Sequence, residues 1–321
     1  MILTKKNRIQ TFTEKGWWGK DTLYSLFQDA LTSCKDQEAL VDPENRDNIT
    51  GDAPKRLSFD DIDKTVERYA TIFFEQGLRK DDIAIIQLPN VVELPMVYLA
   101  LSKLGIICSP IPMQYGVYEI TSIIAETKPK AFISIETFNS NAHAEQFSSI
   151  FNNGEVKFAL GEIENFINLH DSNPTDESYE SQQSYALDNL ITANDIFTIC
   201  WTSGTTGTPK GVPRSHNLWL PMAKAAAFVS ETEEGDTLLN PFPMINMASI
   251  GGFLFNWVLC KGKLVQHHPF DLNVFLNQIS SEDVKYTIAP PAIMNMLLNN
   301  PAILAQQDLS SLRCIGCGGA P

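Results

Sequence analysis

Thr202, Ser203, Gly204, Thr205, Thr206, Gly207, Thr208, Pro209, Lys210 and Gly211 form one run of hydroxyls and glycines that ends in a single amine. That composition suits phosphate. Glycines at 204, 207 and 211 let the backbone approach an anion closely, with N–H groups free to point at it. The threonine and serine hydroxyls are donors for phosphate oxygens. Lys210 brings a mobile positive charge, and Pro209 stiffens the chain just before it. The spacing excludes a Walker A loop, which needs Gly-Lys-Ser/Thr in succession. Here Thr208 and Pro209 separate Gly207 from Lys210, and Gly211 follows the lysine. A solvated Ser/Thr/Gly linker is the plain alternative. The Pro-Lys-Gly ending, and a position directly after an apolar stretch, favour the phosphate reading.

The elements around the run must hold it in place. Asp195 to Cys200 reads as a buried strand, and Ser215-His216-Asn217-Leu218 as the start of a helix that continues to Val229. Upstream, Ser58-Phe59-Asp60-Asp61 has the form of a capping box opening a helix. Ile83 to Ile86 is a continuous apolar strand, as expected when both faces are covered. A helix from Pro89-Asn90 to Lys103 should end at Gly105. Strands at 106–109, 131–135 and 156–160 alternate with helices around 119–126 and 138–150. Alternation of this kind predicts an α/β fold with parallel sheets. Asp171 to Asn189 is polar, lacks lysine and arginine, and reads as a surface linker. It divides the chain into a first α/β subdomain over 1–180 and a second, bearing the phosphate loop, over 181–321.

Composition limits the partners. The net charge of −14 over 321 residues argues against nucleic acid and against an anionic membrane surface. The six cysteines are scattered, which fits reduced thiols better than a disulfide framework. Cys314 and Cys317 read as strand residues, without a second pair that could complete a zinc site. The basic N-terminus lacks the apolar segment of a signal peptide, and no apolar run is long enough to span a bilayer. A cytoplasmic protein is the expectation.

The run from Thr202 to Gly211 resembles the phosphate-binding signature of the AMP-forming adenylating enzymes, that is, the acyl-CoA synthetases, peptide-synthetase adenylation domains and luciferases. It departs at Trp201, where the family more often has tyrosine. Leu88-Pro89-Asn90 and 105–112 also resemble the first subdomain of acyl-CoA synthetases. The resemblance implies that a carboxylate is joined to AMP from ATP, with Mg²⁺, and that the acyl group then passes to the thiol of CoA. It assigns the nucleotide phosphates to Thr202, Ser203, Gly204, Thr205, Thr206, Gly207, Thr208 and Lys210. Lys210 is the catalytic residue among them, and Thr202 is the contact to the metal. Gly318, Gly319, Ala320 and Pro321 would lie against the adenine ring.

In the family, a Pro-x-x-His segment opens a helix lining the carboxylate pocket. Here Asn246 stands where the histidine usually is, followed by Met247 and Gly251. Asn246 reads equally as a substrate contact or a helix cap. Met247, Ile250, Phe253 and Phe255 would suit an apolar acid, but equally a core. Gly16-Trp17-Trp18 and Gln87 to Asn90 look most like the branch acting on medium-chain, alicyclic or aromatic acids. The family's later segments are missing: the Tyr-Gly-x-Thr-Glu stretch, the ribose aspartate, the β-barrel and the mobile C-terminal domain with its lysine. The expectation is therefore the N-terminal portion of an acyl-CoA synthetase, truncated and adenylating very slowly or not at all by itself. A non-catalytic nucleotide- or acyl-binding fragment, and an enzyme loading a carrier protein rather than CoA, stay open.

Overall fold

A computed structural model describes residues 1–202 and 209–318. Its strands, in chain order, are β1 (Glu38–Val41), β2 (Arg56–Ser58), β3 (Ile83–Ile86), β4 (Ile107–Pro110), β5 (Ala131–Ile135), β6 (Thr137–Phe138), β7 (Asn141–Ala142), β8 (Val156–Leu160), β9 (Ile167–Asn168), β10 (Ile196–Thr202), β11 (Lys210–Ser215), β12 (Thr237–Asn240), β13 (Lys263–Gln266), β14 (Tyr286–Ala289) and β15 (Cys314–Cys317). They form two large sheets, ordered β11-β10-β4-β3-β5-β8-β9 and β15-β14-β12-β13-β1-β2, with β6 and β7 as a separate hairpin. Both large sheets are parallel except at one edge, where β11 and β2 run antiparallel to their neighbours. The α/β class with parallel-rich sheets is as expected.

The two sheets do not part at residue 180. β10 and β11 complete the first sheet, while β1 and β2 belong to the second. β1 pairs in parallel with β13, Leu40 opposite Leu264. A linear sequence cannot show that exchange, because it rests on pairing over more than two hundred residues.

Helix Glu93–Leu104 shows how sequence builds the interior. It is apolar on nearly every side, and every residue except Lys103 is buried. Gly105 ends it in the left-handed region at φ +70°, where a side chain would be strained. Helix Phe59–Glu75 opens with the expected capping box, Ser58 and Asp61 each bonding the other's backbone N–H. Phe27, Phe59 and Trp257 meet in the core, the last two stacked 6.0 Å apart.

Two segments differ from expectation. Residues 171–189 are not a plain linker: Asp176–Asp188 is a helix, capped by Thr175. Its Tyr185 hydroxyl accepts from the Lys80 N–H at 2.8 Å, and Gln182 is buried. The polar surface of this helix hides those few anchoring contacts. Residues 138–150 form the β6–β7 hairpin and a short 3₁₀ turn, Ala144–Phe147, rather than a helix. Asn139 and Ser140 take positive φ there, which breaks helical continuation. Among the described residues no helix is long and apolar enough to cross a membrane.

Candidate functional site

β10 and β11 form an antiparallel hairpin whose connection is the hydroxyl- and glycine-rich run. Ser203, Gly204, Thr205, Thr206, Gly207 and Thr208 lie outside the described residues. The flanks are fixed. Thr202 pairs with Lys210, and its hydroxyl donates to the Lys210 carbonyl at 3.5 Å. Both side chains are exposed. Among the described residues no carboxylate lies within ion-pair distance of the Lys210 amine, so its charge faces outward at the root of the loop.

Trp201 anchors the hairpin to the sheet. Its indole Nε1 donates to Ser109 Oγ on β4 at 2.9 Å. Opposite it, Gly211 leaves room for the ring: a Cβ at 211 would meet Ile199 Cγ2 at 2.8 Å and the Trp201 ring at 3.2 Å. Gly211 is thus required for packing. Ser109 carried no signal in the sequence, because a serine inside an apolar strand looks like tolerated variation.

The segment around Asn246, expected to line a carboxylate pocket, lies beside β11. Asn246 caps a helical turn, its Oδ1 accepting from Ala248 N at 3.1 Å and Ser249 N at 3.3 Å. The capping role is therefore the one the geometry displays. Met247 is exposed next to it, with Sδ 3.1 Å from Arg214 Nη2 on β11. Lys210 and Arg214 are four residues apart on one strand, so roughly 13 Å of β11 separates them. Gly251 is buried against helix His216–Val229, where a Cβ would meet Met222 Cβ at 3.2 Å. Ile250, Phe253 and Phe255 are fully buried core residues, and Phe253 stacks on Tyr286 at 5.3 Å. Residues 250–255 wind as a π-helix, a distortion often found at functional sites.

A set of contacts that sequence reasoning missed holds the segment in place. Asn90, from the Leu-Pro-Asn turn of the first sheet, donates to the Phe242 carbonyl at 2.7 Å and accepts from Met244 N at 3.1 Å. Tyr98 donates to the Met244 carbonyl at 2.6 Å. Ser249 Oγ donates to the Phe242 carbonyl at 2.9 Å and to Asn240 Oδ1 at 3.1 Å.

His216 is buried and takes no part in this surface. Its Nδ1 accepts from Leu23 N at 3.2 Å and its ring stacks on Phe197 at 4.8 Å. Burial pushes it down to about 3, so it is neutral. Gly318 follows β15 at the edge of the second sheet, and open space lies where its Cβ would be. Gly319, Ala320 and Pro321 fall outside the described residues.

The comparisons agree with this layout. Residues 27–321 match the family described as AMP-binding enzyme. The chain belongs to that family. The "Probable CoA ligase CCL5" of Humulus lupulus is 28% identical over 269 residues, covering 83% of this chain and 48% of that protein. The long-chain-fatty-acid–CoA ligase FadD13 of Mycobacterium tuberculosis is 26% identical over 295 residues, covering 89% of this chain and 54% of its own length. The chain thus spans about half the length of the curated relatives it matches. Among solved structures, Mycobacterium smegmatis MbtA in its apo form superposes with a TM-score of 0.80 at 19% identity, over 99% of this chain and 56% of that one. That likeness supports the fold.

Proposed function

We propose that this AMP-binding chain forms the nucleotide- and acid-facing part of an AMP-forming acid–thiol ligase. Its reaction is carboxylate plus ATP to acyl-adenylate and pyrophosphate, followed by thioester formation with CoA. The observation that carries this reading is the hairpin mouth, where Thr202 and an outward-facing Lys210 close a loop of phosphate-suited residues.

In this reading a carboxylate oxygen attacks the α-phosphorus, the bond to pyrophosphate breaks, and negative charge grows on the phosphate oxygens. Lys210 and the N–H and hydroxyl donors of 203–208 stabilise that charge. Among the described residues no group of three or more His, Cys, Asp or Glu side chains is arranged to hold a metal ion. In this reading magnesium would arrive with the nucleotide's phosphates, and the Thr202 hydroxyl would offer it one protein oxygen. When bound it would neutralise phosphate charge. In this reading the acid would enter beside Met247 and Arg214, and residues 318–321 keep the adenine contact that the family resemblance implies.

Titration calorimetry of the chain with Mg·ATP tests the reading, and absence of binding overturns it. Pyrophosphate release with a panel of carboxylic acids is expected to be very slow or absent. Turnover at about 1 s⁻¹ or faster would contradict the idea that further segments are needed. A second reading is binding of nucleotide or acid without turnover, which calorimetry without pyrophosphate release would show. CoA and a carrier protein as acceptors are separated by supplying each to a preformed acyl-adenylate.

A further inference from the structure

A separate cavity of about 630 Å³ opens between helix Leu23–Cys34, helix Phe59–Glu75, the end of helix Glu93–Leu104 and helix Asp176–Asp188. None of its lining residues comes from the β10–β11 hairpin or from the second sheet. Its volume lies in the range of small-molecule sites.

Two kinds of surface meet in it. One wall is polar. Lys103, only 9% exposed, is neutralised by both carboxylate oxygens of Glu67, which also accepts from the Tyr24 hydroxyl at 2.9 Å. Asp63 accepts from Gln28 Nε2 at 3.0 Å through one oxygen, and among the described residues no cation pairs with it. Burial and the neighbouring Glu67 raise the Asp63 carboxyl above its usual range, although the Gln28 bond pulls the other way. Ser102 is 2% exposed and lines the cavity, yet its hydroxyl has no hydrogen-bond partner. A buried hydroxyl left unpaired is disfavoured unless something fills the space beside it. The other wall is apolar. Leu187 and Leu190 stand 75% and 71% exposed at its rim, with Ile191 behind them.

We propose that this cavity binds a small amphiphilic ammonium ion, with the charged head between Asp63 and Ser102 and the alkyl body along Leu187 and Leu190. The sign of the charge follows from the lining. Because Glu67 already occupies Lys103, an anionic head would meet Asp63 and Glu67 with no free cation. An ammonium donates to both the Asp63 carboxylate and the Ser102 oxygen, which supplies the missing partners. An alkyl tail would cover leucines that are otherwise in water.

The test is calorimetric titration of the chain with hexylammonium, hexanoate, hexanol and tetramethylammonium. Hexylammonium should bind at least about tenfold more tightly than the other three. Saturating Mg·ATP should not compete with it. Asp63→Asn should weaken hexylammonium by about tenfold while leaving hexanol unchanged. Should that variant fold poorly, Leu187→Ser, at an exposed position, removes part of the apolar wall without adding charge and should weaken tail-dependent binding. Equal binding of hexanoate, competition by Mg·ATP, or affinity indifferent to both substitutions would overturn the proposal. ATP titration reports on the hairpin loop alone, so failure of one site is distinguishable from failure of the other.

Discussion

Thr202 and Lys210 face one another across β10 and β11, with the threonine hydroxyl donating to the lysine carbonyl at 3.5 Å. This pairing fixes both ends of the intervening loop, so eight residues of sequence separation collapse to one cross-strand step. The backbone carries that geometry, and among the described residues no carboxylate pairs with the lysine amine. Lys210→Ala should therefore weaken Mg·ATP binding by about tenfold or more, with little change in thermal midpoint. Calorimetry and a melting curve on the same sample check the two halves. A large fall in midpoint would show that the lysine is structural.

Gly211 is a packing position. A side chain there meets Ile199 and the Trp201 ring. Gly211→Val should destabilise the protein by about 1–3 kcal/mol, the usual range for overpacking. It should also disturb the Trp201–Ser109 bond, which tryptophan fluorescence would report.

Asn246 acts through its cap. Asn246→Ala removes the acceptor for two backbone N–H groups and should lower stability by about 1 kcal/mol. Asn246→Asp keeps the acceptor and should restore it. Denaturant unfolding of both variants separates capping from any contact with an acid.

The carboxylates Asp42 and Glu93 converge on Arg46, and all three side chains are buried. Arg46 Nη1 lies 2.5 Å from Asp42 Oδ2 and 2.9 Å from Glu93 Oε2. Lys55 and His170 approach Glu93 from outside at 2.6 and 3.4 Å. Despite its burial, the positive neighbours hold Glu93 well below the usual carboxylate range. Arg46→Met would leave two buried carboxylates without their central cation, a loss of about 3–5 kcal/mol. The combination Arg46→Met with Glu93→Gln should cost less than the sum of the two, as expected for groups in one network.

Acid should destabilise the fold through histidines. Burial pushes His216 down to about 3, and His143 and His268 to about 4. Each is neutral in the folded chain but takes up a proton near pH 6.5 once unfolded. The unfolded state thus binds more protons as pH falls from about 6.5 towards 4, and stability declines across that window. Asp42, raised to about 6 by burial, opposes the trend with a single proton between about 6 and 4. Melting curves at pH 7.5, 6.0 and 5.0 should show a falling midpoint, and a midpoint that rose would contradict the assignment. His216→Phe should flatten part of the slope.

By itself the sequence determined the alternation of strand and helix, the capping box at Ser58, the stop at Gly105 and the composition of the run from Thr202 to Gly211. These are local properties, written in periodicity, capping residues and composition within a few positions of one another. Tertiary structure decided the rest. It made β11 the antiparallel return of the loop, turned Asn246 towards its own helix, sent Phe253 and Phe255 into the core, and folded 176–188 into a helix over a cavity. It also joined Asp42, Arg46 and Glu93, and bound Asn90 to the backbone around 242–244. Each outcome depends on residues far apart in the chain, where burial and pairing are set by the assembled sheets.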